Sequence, residues 1–221
     1  MRHKVAGWFL VIVGLCLILC SGLLIGYNLL ESRRAEESVV QSMTELQEIL
    51  PETIVPAEQF TSTQIVQNDQ IDPIDPMVDV PYYVVNPQIE MLEQKVDGIP
   101  YIGILEIPCL ALELPIISHW SNANARKAPC RYKGSVYLDD MIICAHNYKS
   151  HFGKLSTLSI GDAVLFTDIE GNQFQYQVVE FEVMDGTAIE QMESGNWDLT
   201  LFTCTVGGKS RLTVRCERID H

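Results

Sequence analysis

The sequence is poor in basic residues and in cysteine, and each shortage argues against a class of protein. Its 221 residues include 15 Lys and Arg against 29 Asp and Glu, which gives a formal net charge of -14. That balance disfavours a nucleic-acid-binding protein, because contacts to phosphate need clustered cations. Seven cysteines are too few for a small protein held together by disulfides. No two of them are spaced as Cys-x2-Cys, so a structural zinc site is not expected.

Residues 5–30 lack charge altogether, and this absence predicts a membrane span. The run exceeds the roughly 20 apolar residues that a helix needs to cross the hydrocarbon core of a bilayer. A cleavable signal peptide would have a shorter apolar core followed by a small-residue cleavage pattern, which is not evident here. A helix buried in a soluble core is disfavoured because no face of the run is polar. We therefore predict an uncleaved signal anchor over residues 5–30.

The basic residues that flank this span do not decide its orientation. Arg2 and Lys4 precede it and Arg33 and Arg34 follow it, a tie under the positive-inside rule. The tail before the span is four residues long, so nearly the whole chain must lie on the other side. We predict a single-pass protein of the cell membrane, with residues 1–4 in the cytoplasm and the bulk of the chain outside the cell.

Residues 31–97 hold most of the acidity, with 14 Asp and Glu against three basic residues. Apolar residues recur at helical spacing from Val39 to Leu50, which favours a continued helix over this part, and Pro51 and Pro56 then stop it. The stretch IDPIDP at residues 71–76 is expected to be extended, because each proline restricts the residue before it. We interpret residues 31–97 as an acidic, solvated spacer that lifts a domain off the membrane.

The pattern of apolar runs and turn residues in residues 98–221 predicts a mostly β domain. Two hairpins are expected, one joining residues 163–167 to 173–183 and the other joining 199–205 to 211–219 across Gly207-Gly208. Helical pattern is confined to short pieces near residues 120–128 and 187–192. Many short strands separated by turns indicate a barrel or a sandwich. The other predicted strands cover residues 101–107, 111–117, 135–138 and 141–145.

Two residues at predicted strand ends in this domain, a cysteine and a histidine, supply the functional groups that acyl transfer needs at minimum. Cys204 follows the run TLFT beside a glycine-containing turn, and His146 follows the run MIICA. A thiolate is the nucleophile in such chemistry, and an imidazole can protonate the leaving amine. Each residue also has an ordinary alternative. The cysteine can be a small buried hydrophobe, and the histidine can be satisfied by backbone carbonyls.

A fixed cation near the thiol would complete this set. Arg211 lies seven residues after Cys204, so the two can face each other on adjacent antiparallel strands. An arginine there can donate to an oxyanion or to a substrate carbonyl. Arg215 competes for the role, because side chains alternate along a strand and it shares the face of Arg211. Arg211 is nearer the turn, whereas Arg215 is expected to place charge at the barrel edge.

These motifs resemble those of the sortases, the cysteine transpeptidases of Gram-positive bacteria. TLFTC at residues 200–204, followed by a short loop and RLTVR at 211–215, resembles the sortase TLxTC…R signature. IICAHNY around His146 resembles the sortase histidine motif. The resemblance covers nearly all of residues 98–221 and fits the predicted anchor. It extends to YIGILEIPCLALELPI at 101–116, similar to the opening strands of that domain, and to FGKLSTLSIGD at 152–162, similar to the segment after the histidine.

The resemblance implies a fold and a reaction. The fold is an eight-stranded sortase β-barrel with short helices over residues 98–221, preceded by the transmembrane helix and the spacer. The reaction is cleavage of an LPxTG-like sorting signal through a thioacyl-enzyme, followed by transfer of the surface protein to an amine of a peptidoglycan precursor or a pilin lysine. Cys204 matches the nucleophile, His146 the general acid/base, and Arg211 the donor to the substrate carbonyl or oxyanion. No cofactor, metal or nucleic-acid partner is expected.

Two other functions stay open at this point. One is a catalytically inactive, membrane-anchored binding domain, against which the filled cysteine, histidine and arginine positions argue. The other is a cysteine peptidase that passes the acyl group to water, which shares the acyl-enzyme step with transpeptidation. The tripeptide at residues 75–77 (Asp-Pro-Met) faintly resembles the Asp-Pro-aromatic lid of pilin-type sortases, although methionine is not aromatic.

The predicted topology is open to a direct measurement. Protease added to intact cells whose wall has been removed should digest the domain at residues 98–221, because the four-residue tail leaves the rest of the chain outside. A cytoplasmic protein serves as the control and should survive until the cells are lysed. If the domain is equally protected, the predicted orientation is wrong.

Overall fold

The computed structural model describes residues 2–50, 81–205 and 207–220. The lid tripeptide considered above lies outside these residues. The described part of the chain contains nine strands, four α-helices and two short 3₁₀ turns. The strands are β1 (Gln94–Val96), β2 (Ile99–Ile107), β3 (Leu112–Ile117), β4 (Cys130–Lys133), β5 (Met141–Ala145), β6 (Ala163–Asp168), β7 (Gln173–Asp185), β8 (Leu199–Cys204) and β9 (Ser210–Arg218). The helices are α1 (Arg2–Ile49), α2 (Tyr82–Val85), α3 (Asn122–Ala125) and α4 (Ile189–Glu193), and the 3₁₀ turns are Pro108–Leu110 and Leu155–Thr157.

Eight of these strands form a closed barrel, and β1 extends it at one edge. The strand order is β1-β2-β3-β4-β5-β8-β9-β7-β6, and β2 also pairs with β6, which closes the ring. Gly103 lies at this closure, where a Cβ atom would collide with the backbone carbonyl of Thr167 on β6. Only glycine therefore lets β2 approach β6 this closely. The predicted eight-stranded barrel with short helices is confirmed.

The alternation of side chains on β8 and β9 separates the barrel core from the outer surface. Leu201 lies opposite Val214 and Leu199 lies opposite Cys216, and all four are fully buried in the core. Opposed residues of an antiparallel pair share a face, so the intervening residues of both strands point out of the barrel. This outer face carries the candidate site.

Both predicted hairpins and both predicted helical pieces are present. The first hairpin consists of β6 and β7, and the second of β8 and β9. Gly207 and Gly208 in the second turn have φ values of 89° and 72°, which glycine adopts without the strain of a side chain. The helical pieces are α3 and α4.

The predicted strand at residues 135–138 is wrong, because these residues form a turn. The backbone N–H of Ser135 donates to Asp140 Oδ1 over 2.8 Å, and that of Tyr137 donates to Ser135 Oγ over 3.1 Å. Such bonds between side chain and backbone offer the chain an alternative to strand pairing. The strand that precedes β5 is instead β4, which lies within a segment that the sequence did not predict to be extended.

The helix α1 begins with the apolar run and continues to Ile49 without a break. Among the described residues, α1 is the helix that is long and apolar enough to cross a membrane. Its most apolar window has a mean hydropathy of 2.2. No residue of that window is buried against the rest of the described protein. Its length and surface therefore suit a segment surrounded by lipid.

The second half of α1 packs against the barrel. Ala35, Val39, Met43 and Leu46 are buried, and this face of the helix contacts β1 and β3. Ser42 Oγ and the hydroxyl of Tyr101 share a buried hydrogen bond of 2.8 Å. One face of residues 35–46 is therefore buried against the barrel and not solvated as expected of a spacer, whereas the other face is exposed. The division of the chain into anchor, spacer and catalytic domain stays a prediction.

Arg215 is buried and does not lie at a charged barrel edge. Its side chain is 2% exposed. Its guanidinium donates to Glu182 Oε2 over 2.8 Å and to Thr200 Oγ1 over 3.0 Å. It also donates to the carbonyls of Met192 and Gln191, over 2.9 and 3.1 Å. The expectation of an edge charge is wrong because α4 folds over this part of β9, and Arg215 fastens α4 to the barrel.

Replacing Arg215 with alanine should destabilise the protein markedly. The change leaves the partly buried Glu182 and two carbonyls of the α4 segment without their donor, and each lost hydrogen bond to a charged group costs about 1.5 kcal/mol or more. Urea unfolding followed by circular dichroism measures this cost, with Lys209→Ala as the control because Lys209 is exposed. Equal unfolding midpoints for the two variants would contradict the role assigned to Arg215.

Candidate active site

Cys204 and His146 emerge at the same end of the barrel from neighbouring strands. Cys204 is the last residue of β8, and His146 follows β5 directly. These strands are parallel, with Ala145 opposite Thr203, so the next residues, His146 and Cys204, lie at the same level of the barrel. Thr203 Oγ1 donates to the carbonyl of Ala145 over 2.8 Å. This buried bond joins the two residues that immediately precede the thiol and the imidazole.

Arg211 faces the thiol from the other side. It lies directly opposite Cys204 in the β8–β9 pairing, so both side chains share the outer face of the barrel. Its Nη1 donates to the carbonyls of Gly208 and Ser210, over 3.1 and 3.3 Å, which hold the guanidinium at the hairpin turn. The structure thus brings together all three residues that the sequence singled out.

A cavity of about 280 Å³ is lined by the thiol, the imidazole and the guanidinium. Apolar side chains supply much of its remaining surface. The rings of Trp120 and Tyr132 pack edge to face with centroids 6.3 Å apart, and those of Tyr132 and Phe202 do so at 5.5 Å. The α4 helix contributes Ile189 and Met192. Trp120 and Ile189 are about half exposed, so they offer apolar surface to a ligand.

The environment of His146 favours the neutral imidazole. Burial is the main influence and lowers the pKa of His146 below its ordinary value. The negative charge of Glu31 raises this pKa, and the positive charge of Arg126 lowers it. A histidine that is neutral near pH 7 can accept the proton of a thiol and later return it to a leaving group.

The surroundings of four other cysteines disfavour the reactive thiolate. Cys130, Cys144 and Cys216 are buried, and burial raises the pKa of each thiol, to about 12 for Cys130 and Cys216. Cys109 is exposed, but desolvation and the adjacent carboxylate of Asp162 raise its pKa as well. The thiolate is the reactive form, so these thiols react more slowly than an unperturbed one.

Sequence reasoning did not identify the residues that line the cavity around the predicted three. Strand parity would have identified Phe202, which lies two residues before Cys204 and therefore on the same face. No sequence signal points to Trp120 or Ile189, because loops and short helices bring them to the cavity through tertiary packing. Glu31 also had no signal, since it lies in the segment interpreted as a spacer.

Comparisons with known proteins identify the family of the chain. Residues 105–219 match the Sortase domain family. This match covers more than half of the chain, and the chain belongs to the sortase family, whose members are cysteine transpeptidases.

Two curated relatives and several solved structures are sortases. The chain is 29% identical to Sortase D of Bacillus subtilis (strain 168) over 106 residues, which are 46% of this chain and 53% of that protein. It is 23% identical to Sortase A of Bacillus anthracis over 199 residues, 87% of this chain and 85% of that protein. Pilus-related Sortase C of Group B Streptococcus is a similar structure, with a TM-score of 0.49 and 26% identity. That alignment covers 61% of this chain and 76% of the other.

The cysteine environments predict selective inactivation by a methanethiosulfonate reagent. Loss of activity should follow modification of Cys204. Cys130 and Cys216 are fully buried, and Cys109 lies outside the cavity. Cys144 also lines the cavity, but it is buried and burial raises the pKa of its thiol. The Cys109→Ser variant is the control and should be inactivated at the wild-type rate. Peptide mapping by mass spectrometry identifies the modified residue. An inactivated enzyme with an unmodified Cys204 would contradict the assignment.

Proposed function

We propose that this protein is a membrane-anchored transpeptidase that cleaves an LPxTG-like sorting signal and transfers the surface protein to an amine. The acceptor is an amine of a peptidoglycan precursor or a pilin lysine. The position of Cys204 beside His146 at the ends of two parallel strands is the observation that carries this proposal. Arg211 on the opposite side of the thiol supports it.

Acylation of Cys204 is the first step. The imidazole of His146 accepts the proton of the thiol, and the sulfur attacks the scissile carbonyl carbon of the substrate. The carbonyl oxygen becomes an oxyanion, which Arg211 stabilises by donating from its guanidinium. When the intermediate collapses, the C–N bond breaks and the His146 imidazolium returns its proton to the leaving amine. The products are a thioester on Cys204 and a free amino terminus.

Transfer to the acceptor reverses this sequence with a different amine. The incoming nitrogen attacks the thioester, His146 takes one proton from it, and the thiol leaves with that proton. The new amide bond joins the acyl group of the surface protein to the nitrogen of the acceptor, and the Cys204 thiol is regenerated. Water in place of the amine would give hydrolysis, so the balance between transfer and release depends on which nucleophile reaches the thioester first.

The cavity accounts for recognition of a short apolar peptide. Its aromatic side chains and the half-exposed Ile189 can bury the apolar residues that precede the scissile bond. Arg215 acts indirectly, because it fastens the α4 segment that carries Ile189 and Met192. The apolar run at the start of α1 anchors the enzyme in the membrane, with the catalytic domain outside the cell.

A fluorescent peptide containing an LPxTG sequence, incubated with and without triglycine, tests the proposed function. We expect ligation to triglycine when the acceptor is present and slow release of the cleaved peptide when it is absent. Cys204→Ala is the control and should give neither product. Release that triglycine leaves unchanged would identify a hydrolase, and binding without turnover would identify an inactive binding domain.

The same assay tests the role of Arg211. Removing one donor to an oxyanion typically lowers kcat by about 100-fold to 1000-fold, so we expect Arg211→Ala to lose at least that much in kcat and kcat/KM. Arg211→Lys should restore little, since an ammonium group cannot reproduce the planar guanidinium. Lys209→Ala in the same hairpin turn should retain wild-type activity. A folded Arg211→Ala enzyme within tenfold of wild type would overturn this role.

A further inference from the structure

Glu31 links the anchor helix to the loop that follows the candidate catalytic histidine. It is the first residue after the predicted membrane span, and it lies on α1. Its carboxylate accepts hydrogen bonds from the hydroxyls of Tyr27 over 3.1 Å and Tyr148 over 3.2 Å. The guanidinium of Arg126 lies 3.9 Å away. The Tyr148 contact joins residues that are 117 positions apart in the sequence.

Tyr148 in turn contacts the imidazole of His146. The two rings lie 5.0 Å apart between centroids and are tilted by 35°. Tyr148 also packs against His151, with the two ring centroids 5.4 Å apart. His151 is fully buried, so the tyrosine ring rests on a part of the loop that is enclosed by the fold. A continuous set of contacts therefore runs from Glu31 through Tyr148 to His146.

We propose that Glu31 is a positioning residue that orients His146 through Tyr148, so that the membrane anchor forms part of the catalytic apparatus. This inference rests on the proposed function, in which His146 is the general acid/base. The hydrogen bond from Tyr148 to Glu31 fixes the tyrosine hydroxyl, and the tyrosine ring restricts the rotation of the imidazole. The carboxylate also favours the imidazolium that forms when His146 has taken the thiol proton.

The same contact places the catalytic cavity near the membrane. Because β5 and β8 are parallel, both end where the Tyr148 loop begins, and that loop meets α1 at the first residue beyond the predicted span. Cys204 and His146 consequently lie at the end of the barrel nearest the bilayer.

The electrostatic part of the proposal depends on every charged or titratable group around the imidazole. Glu31 opposes the effects of burial and of Arg126 on the pKa of His146, so neutralising Glu31 should lower this pKa further. The other groups stay unchanged in such a variant. The groups that adjoin His146 or share its cavity are Glu31 on α1, Arg126 after α3, Cys144 on β5, Tyr148 and His151 in the loop after β5, Asp185 at the end of β7, Cys204 on β8 and Arg211 on β9.

Full-length protein in phospholipid nanodiscs, with ¹³C-labelled histidine, tests the inference. Four variants are compared with wild type: Glu31→Gln, Tyr148→Phe, the double variant, and Glu36→Gln. Glu36 is an exposed carboxylate on the same helix and serves as the matched control. His146→Asn assigns the His146 resonance. NMR titration gives the pKa of His146, and the peptide-ligation assay gives kcat and KM.

We expect Glu31→Gln to lower the pKa of His146 and to reduce kcat about threefold to tenfold with little change in KM. Tyr148→Phe keeps the ring and loses the hydroxyl, so it should cause a similar loss in kcat. The double variant should be no worse than either single variant, because the two residues act through one contact. Glu36→Gln should match wild type in both readouts.

The inference is overturned if Glu31→Gln changes the His146 pKa and kcat no more than Glu36→Gln does. It is also overturned if the losses in kcat of Glu31→Gln and Tyr148→Phe add up in the double variant. If Glu31→Gln does not fold, Tyr148→Phe alone decides, and a wild-type kcat in that variant contradicts the proposal. A wild-type enzyme without ligation activity would refute the proposed function instead, while the NMR titration would still report whether Glu31 influences His146.

Discussion

The parallel pairing of β5 with β8 is the constraint on which the site depends. These strands are distant in sequence, and their pairing makes both end at one level of the barrel. The hydrogen bond from Thr203 to the carbonyl of Ala145 fixes this level one residue before the thiol and the imidazole emerge. The antiparallel β8–β9 hairpin then adds Arg211 on the opposite side. The pairing of the strands thus brings the thiol of Cys204, the imidazole of His146 and the guanidinium of Arg211 together.

Two helices outside the barrel, α4 and α1, contact the region around the site. Arg215 is buried on the outer face of β9 and holds α4 in place, which supplies apolar surface beside the thiol. The second half of α1 packs on β1 and β3 and brings Glu31 to the loop after β5. The same helix therefore continues the apolar run and contacts the loop that follows His146.

Local patterns in the sequence predicted most of the barrel and the three central residues. The hairpins follow from apolar alternation and glycine turns, and Cys204 and His146 could be selected because each follows an apolar strand. The turn at residues 135–138 was missed, since bonds from Asp140 and Ser135 override the strand pattern. Arg215 was misjudged for a different reason. Strand parity correctly placed it on the outer face, but parity does not reveal that α4 covers this face.

Accumulation of a thioester on Cys204 tests the central claim most directly. The full-length enzyme is incubated with an LPxTG-containing peptide in the absence of an amine acceptor, quenched in acid and examined by intact-mass and peptide-mapping mass spectrometry. The account predicts an acyl adduct on Cys204 in the wild-type enzyme, and none in Cys204→Ala or in folded His146→Ala. Cleavage of the peptide with the adduct on another residue, or with the same rate in Cys204→Ala, would contradict the account.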